Sequence, residues 1–155
     1  MVMTKLACCI ALLVACSGGN DRPDPNAPPT NTLALEEWKN TMTLADFHTA
    51  GMAVAWSTMK TTDSKLCTMC HTEYGSADEA YFFSQVVQDQ EILVRFFSVT
   101  NGKISVNSTS FNAAATHTNP APSDHPPFDP ASAIGVKALQ QFYTLTCAHL
   151  PALCG

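Results

Sequence analysis

Charge is scarce in this 155-residue chain: only 14% of residues are Asp, Glu, Lys or Arg. Eight Lys and Arg face thirteen Asp and Glu, for a formal net charge of −5. Nucleic acid and anionic membrane surfaces both need basic patches, so this balance argues against either as a partner. No apolar run approaches the roughly 20 residues that a helix needs to cross a bilayer. There is no Ser/His/Asp set, no glycine loop for phosphate and no paired-carboxylate motif, which disfavours a hydrolytic enzyme. Internal repeats are absent. A second CxxC is absent too, and none of the six methionines, at positions 1, 3, 42, 52, 59 and 69, follows Cys70. What the chain does have is apolar material, at 46% of residues, enough for the core of one domain.

The N-terminus sets the compartment. Lys5 precedes the apolar stretch Leu6 to Ala15 (LACCIALLVA), which is too short to span a membrane and reads as a signal peptide over 1–15. Its end, Leu13-Val14-Ala15-Cys16, resembles a bacterial lipobox, in which the cysteine is acylated and becomes the new N-terminus. The competing view is an ordinary signal peptide that happens to hold cysteines, since Cys8 and Cys9 lie there as well. Polar Ser17-Gly18-Gly19-Asn20 follows at once and favours the lipoprotein. Residue 17 is Ser rather than Asp, which by resemblance to Gram-negative sorting rules implies the outer membrane, facing the periplasm or the cell surface. Residues 16–32, rich in Pro, Gly, Asn and Asp, read as a flexible tether, and 33–155 as the folded domain.

That domain reads as mainly α-helical with a short β-hairpin. Leu33 to Asn40 is expected to be a helix carrying Trp38. Thr43-Leu44-Ala45-Asp46 has the form of a capping box opening a helix to about Lys60, with Leu44, Phe47, Gly51, Ala55, Trp56 and Met59 on its buried face. Gly51 weakens that helix. Further helix is expected at Cys67 to His71 and at Asp78 to Gln88. Gln90 to Phe97 should be helix leading into a strand. Asn101-Gly102 suits the two-residue turn of a hairpin. A loop is expected from Asn107 to Phe128. Asp129-Pro130 should then cap a last helix to about Ala148, with Ile134, Ala138, Leu139, Phe142 and Leu145 on one face.

Cys67-Thr68-Met69-Cys70-His71 is the chemical centre of the sequence. At this spacing two thiols can add to the two vinyl groups of one haem while the adjacent imidazole reaches the iron. Two other chemistries fit the same residues. A Cys67–Cys70 disulfide would suit an oxidising compartment, although no βαβ pattern surrounds it. A zinc site would need a fourth ligand beyond Cys67, Cys70 and His71. If Cys16 is acylated and Cys67 and Cys70 hold one haem c, Cys147 and Cys154 remain to form a disulfide across the helix stop at Pro151. With no methionine downstream, the distal ligand is sought among histidines. His125 is preferred because His125-Pro126-Pro127-Phe128 stiffens the backbone beside it, and His117 is second. His48 and Met59 are weaker options, and His149 is expected to cap the final helical turn. Trp56, Phe82, Phe83, Phe96, Phe97, Phe111, Phe142 and Tyr143 are available to wrap a porphyrin, and Arg95 could pair with a propionate.

Much of the domain resembles a group of Gram-negative lipoproteins with a single CxxCH. The matching elements are Met42 to Phe47, Ala55-Trp56, Cys67 to His71, Phe82-Phe83, Phe96-Phe97, Val106-Asn107, His125-Pro126, Ala138-Leu139 and Phe142-Tyr143. More loosely it is similar to monohaem cytochromes c. That resemblance implies a small helical haem domain that transfers single electrons between redox partner proteins or small donors and acceptors, an electron carrier rather than an enzyme. The alternatives are a non-haem structural or binding lipoprotein held by disulfides, and a haem sensor or peroxidase-like protein with an open distal site.

Overall fold

Helix α1 (Thr30–Thr41) begins ahead of Leu33 and lays Ala34 and Trp38, four residues apart, against the interior. The structure is a computed structural model that describes residues 30–71, 90–116 and 125–155. Trp38 is wholly buried, edge-on to Phe97 at 5.2 Å and tilted against Tyr143 at 5.4 Å between ring centres. It therefore ties α1 to both the hairpin and the last helix.

The helix expected from Thr43 to Lys60 is two helices, α2 (Leu44–Thr49) and α3 (Met52–Thr58). Thr43 caps α2, its Oγ1 accepting from the Asp46 amide at 3.1 Å. The chain breaks at Gly51, whose φ of +68° is a left-handed conformation that glycine adopts without a Cβ penalty. The break turns α3 relative to α2, so a single buried stripe does not run through both. Phe47, Trp56 and Met59 are buried as expected, but Leu44 is 47% exposed and Met52 takes a core place instead.

Helix α4 (Gln90–Leu93) and a 3₁₀ turn (Val94–Phe96) lead into strand β1 (Phe97–Thr100), as the sequence suggests. β1 pairs antiparallel with β2 (Lys103–Val106), Phe97 opposite Val106 and Thr100 opposite Lys103. Asn101 and Gly102 both have positive φ, 53° and 72°, the geometry whose twist matches that of the flanking strands. The segment after β2 departs from expectation. Ser108–Thr116 is a helix, α5, and not part of the loop that the sequence suggests. Three consecutive alanines, Ala113 to Ala115, favour helix, and Phe111 anchors it at 5.6 Å from Phe96 and 6.1 Å from Trp56.

Asp129-Pro130 does not start the last helix. Asp129 caps a separate turn, accepting from the Ala131 amide at 3.0 Å, and α6 (Ile134–His149) begins four residues after Pro130. Ala138, Leu139 and Phe142 face inward as expected, joined by Tyr143, but at the two ends Gly135 and Thr146 are buried in place of Ile134, which is 47% exposed, and Leu145, which is half-buried. α6 crosses α3 at Gly135, where a Cβ would stand 2.6 Å from Trp56 Cδ2. The disulfide between Cys147 and Cys154 is present, with Cα atoms 5.9 Å apart. It folds the tail back beside β2: the Gly155 amide donates to the Ile104 carbonyl at 3.3 Å, and Lys103 Nζ to the Ala152 carbonyl at 2.8 Å. The tail thus covers an otherwise open strand edge. The Tyr143 hydroxyl, also donating to the Ile104 carbonyl at 2.7 Å, locks α6 to the same point.

Candidate metal centre

The loop from Lys60 to Leu66 delivers the CxxCH motif. Lys60 and Leu66 form an isolated antiparallel bridge, the Thr61 amide donates to the Lys65 carbonyl at 2.9 Å, and Ser64 sits at a φ of +67° to complete the reversal. Asp63 accepts from the Thr61 hydroxyl and pairs with Lys65 Nζ at 2.8 Å, which holds its carboxyl below the usual range. Asp63 and Lys65 are solvent-exposed, so the pair shapes the loop more than it stabilises the fold. The Cys67 amide then donates to the Met59 carbonyl at 3.0 Å, fastening the motif to the end of α3.

Cys67–Met69 is a single 3₁₀ turn, shorter than an α-helix, and the Cys70 and His71 amides both donate to the Cys67 carbonyl, at 3.2 and 3.0 Å. Residues three apart in such a turn eclipse one another, which puts Cys67 and Cys70 on one side of it. Both are thiols, not joined to each other. Cys67 is half-buried against the core, and burial pushes its thiol up from the ordinary value, whereas Cys70 is exposed. Met69 is 69% exposed.

His125 and His71 come together. Their ring centres are 6.1 Å apart with 54° between planes. Phe128 stands edge-on to His125, also at 6.1 Å. The His125 Nδ1 is buried and has no hydrogen-bond partner. An imidazole nitrogen left so costs about 1–3 kcal/mol unless a group from outside the chain meets the ring.

With metal–nitrogen bonds of about 2.0–2.1 Å and about 1.1 Å from nitrogen to ring centre, two imidazoles on opposite sides of one metal have centres about 6.3 Å apart, against about 5 Å for a tetrahedral angle. The observed separation fits the opposed arrangement. Among the described residues no group of three or more His, Cys, Asp or Glu side chains is placed to hold a metal ion. Two imidazoles at this separation and two thiols on one turn suit a planar macrocycle held by thioethers better than a Cys₂His₂ zinc cage.

The other candidates fall elsewhere. Met59 is buried at 2% exposure, its sulfur directed at the α3–α6 crossing, so its backbone serves the motif and its side chain serves the core. His48 is exposed, edge-on to Phe47. His149 does not cap its own helix: its Nε2 meets Asp46 Oδ2 at 2.9 Å, joining the end of α6 to the start of α2. Arg95 is exposed. Trp56, Phe96 and Phe111 form one aromatic cluster, while Phe97, Tyr143 and Phe142 pack with Trp38 and Phe47 in the interior. An open groove of about 420 Å³ has Met59, Thr62, Phe128 and Ile134 in its wall, but none of Cys67, Cys70, His71 or His125. Cys16, His117, Phe82, Phe83 and the helix expected at Asp78 to Gln88 lie outside the described residues.

The contacts that sequence patterning missed are those of Thr62, whose amide and hydroxyl both donate to the Pro127 carbonyl, at 2.8 and 3.0 Å. The run Thr61-Thr62-Asp63-Ser64 is turn-forming in composition, which signals a loop but not its partner. Among the described residues no helix is long and apolar enough to cross a membrane. No protein-family model, curated protein or solved structure matches the chain.

Proposed function

We propose that this chain is a monohaem c-type cytochrome lipoprotein that relays single electrons, with a cytochrome c-like helical domain tethered through an acylated Cys16 to the outer membrane. The observation that carries this reading is the 6.1 Å juxtaposition of His125 with His71, the residue that closes the CxxCH motif. Cys67 and Cys70 would hold one haem c by thioether bonds, His71 would ligate the iron from the attachment side, and His125 from the other. When bound, the haem supplies a one-electron Fe(III)/Fe(II) couple.

The chain's own residues set the conditions for that couple. Two imidazoles, with no thioether ligand, favour the ferric form and a low potential, because a methionine sulfur would stabilise reduced iron. Cys67, at the core boundary, orients the attachment side, and exposed Cys70 with exposed Met69 leaves that edge open to redox partner proteins or small donors and acceptors. Phe128 shields one side of His125 from water.

Protein produced with haem-maturation machinery tests this directly. The expected result is a Soret band, a c-type pyridine haemochrome and low-spin ferric iron, with His125→Ala turning the iron high-spin. A polypeptide without added porphyrin mass would remove the reading. High-spin wild-type iron that binds CO or peroxide would replace it with a haem sensor or peroxidase.

A further inference from the structure

The two histidines come from segments more than fifty residues apart, and what closes that gap is specific. The loop that presents Cys67 also grips the segment that carries His125. Thr62 lies five residues before Cys67, and Pro127 two residues after His125. The Thr62 amide and hydroxyl converge on one acceptor, the Pro127 carbonyl, at 2.8 and 3.0 Å. Pro127 has no amide hydrogen, and the Pro126-Pro127 pair fixes φ at both positions, so a constraint at the Pro127 carbonyl is transmitted stiffly to His125. On the other side of the clamp, the Lys60–Leu66 bridge, the Thr61–Lys65 bonds and the Cys67 amide to Met59 make the loop rigid. Ring contact and clamp therefore belong to one closed circuit: His71, Cys67, Thr62, Pro127, His125.

We infer that Thr62 is a positioning residue for the distal ligand: its hydroxyl holds His125 at ligating distance from His71 and sets how often the distal side opens. The inference rests on the haem assignment above. It does not require Thr62 to touch the cofactor. Thr62 is exposed, so the loss of its hydroxyl perturbs the clamp and not the core.

Thr62→Val keeps the amide donor and removes the hydroxyl, and Thr62→Ser restores it. Losing one of two converging hydrogen bonds raises the open population about fivefold, equivalent to ~1 kcal/mol. Because an exogenous ligand binds only the open form, the apparent affinity of the ferrous haem protein for CO rises by the same factor. Thr62→Val should thus bind CO about fivefold more tightly than wild type, with Thr62→Ser within about twofold of wild type. A second measurement uses the haem-free chain: hydrogen exchange of the backbone amide at position 62 should accelerate about fivefold in Thr62→Val and not in Thr62→Ser. Unchanged CO affinity and unchanged exchange in Thr62→Val would overturn the inference while leaving the haem assignment intact. Accelerated exchange with unchanged CO affinity would also overturn it, because the clamp would then be uncoupled from the ligand. A chain that carries no haem would instead defeat the assignment on which the inference rests.

Discussion

Gly135→Ala is the substitution for which two simple arguments give opposite signs. Gly135 lies in the first turn of α6 and is buried where that helix crosses α3. Helix propensity alone favours alanine by about 1 kcal/mol. The crossing opposes it. A Cβ at this position would stand 2.6 and 2.7 Å from two carbons of the Trp56 indole and 2.9 Å from Met59 Sδ. Carbon atoms in contact prefer about 3.5–4.0 Å, so α6 must move by about 1 Å or the indole must leave its place. Trp56 also packs against Phe111 and is only 9% exposed, which leaves it little room. Overpacking of this kind costs about 3 kcal/mol at the upper end of the usual range, so the net destabilisation is about 2 kcal/mol. For a domain of this size that is a fall in Tm of roughly 6–12 °C. The loss also reaches the CxxCH turn, because Met59, one wall of the clash, accepts the Cys67 amide through its carbonyl. Thermal denaturation followed by circular dichroism on haem-free protein checks this. A Tm equal to or above that of wild type would show that the helices part cheaply and would refute the close-packing argument.

Cys67→Ala should leave the purified protein without a full covalent haem load, as read by intact mass, and undiminished loading would contradict the attachment assignment. In the haem-free chain, iodoacetamide should alkylate exposed Cys70 before Cys67, which burial both shields and holds protonated to higher pH; peptide mapping showing the reverse order would contradict the half-buried placement. Replacing Cys147 and Cys154 together with alanine should lower stability by about 2.5 kcal/mol, the loop-closure value for a disulfide this short, and a denaturant midpoint unchanged from wild type would show that Tyr143 and β2 hold the tail unaided. Cys16→Ala should release the protein from membranes, and unchanged fractionation would remove acylation from the account.

Local pattern was enough for the local features. Asn101-Gly102 demanded positive φ at both positions and produced the hairpin turn, whatever packed around it. The leftover pair Cys147 and Cys154 were close enough in sequence to bond. The CxxCH motif carries its chemistry in its spacing, and the structure adds that its turn is 3₁₀. Features that depend on competition between distant groups were not legible. Gly51 could lie within a helix or break one, and the break prevailed because it lets Met52, Trp56 and Met59 reach the core together. Ser108–Thr116 looks polar in isolation and is helical in a fold where Phe111 meets Trp56 and Phe96. His149, a plain helix-end histidine by sequence, finds Asp46 more than a hundred residues away.

The chain by itself therefore determined the hairpin, the disulfide and a mostly helical domain, since each follows from residue types within a few positions of one another. The Pro-Pro-Phe context singles out His125 in the sequence; tertiary structure adds that its ring lies 6.1 Å from that of His71 and that Thr62 donates to the Pro127 carbonyl. Those partners are separated by more than fifty residues, and no periodicity or spacing rule spans such a gap. Only the folded circuit of loop, turn and proline-stiffened segment brings the two imidazoles together.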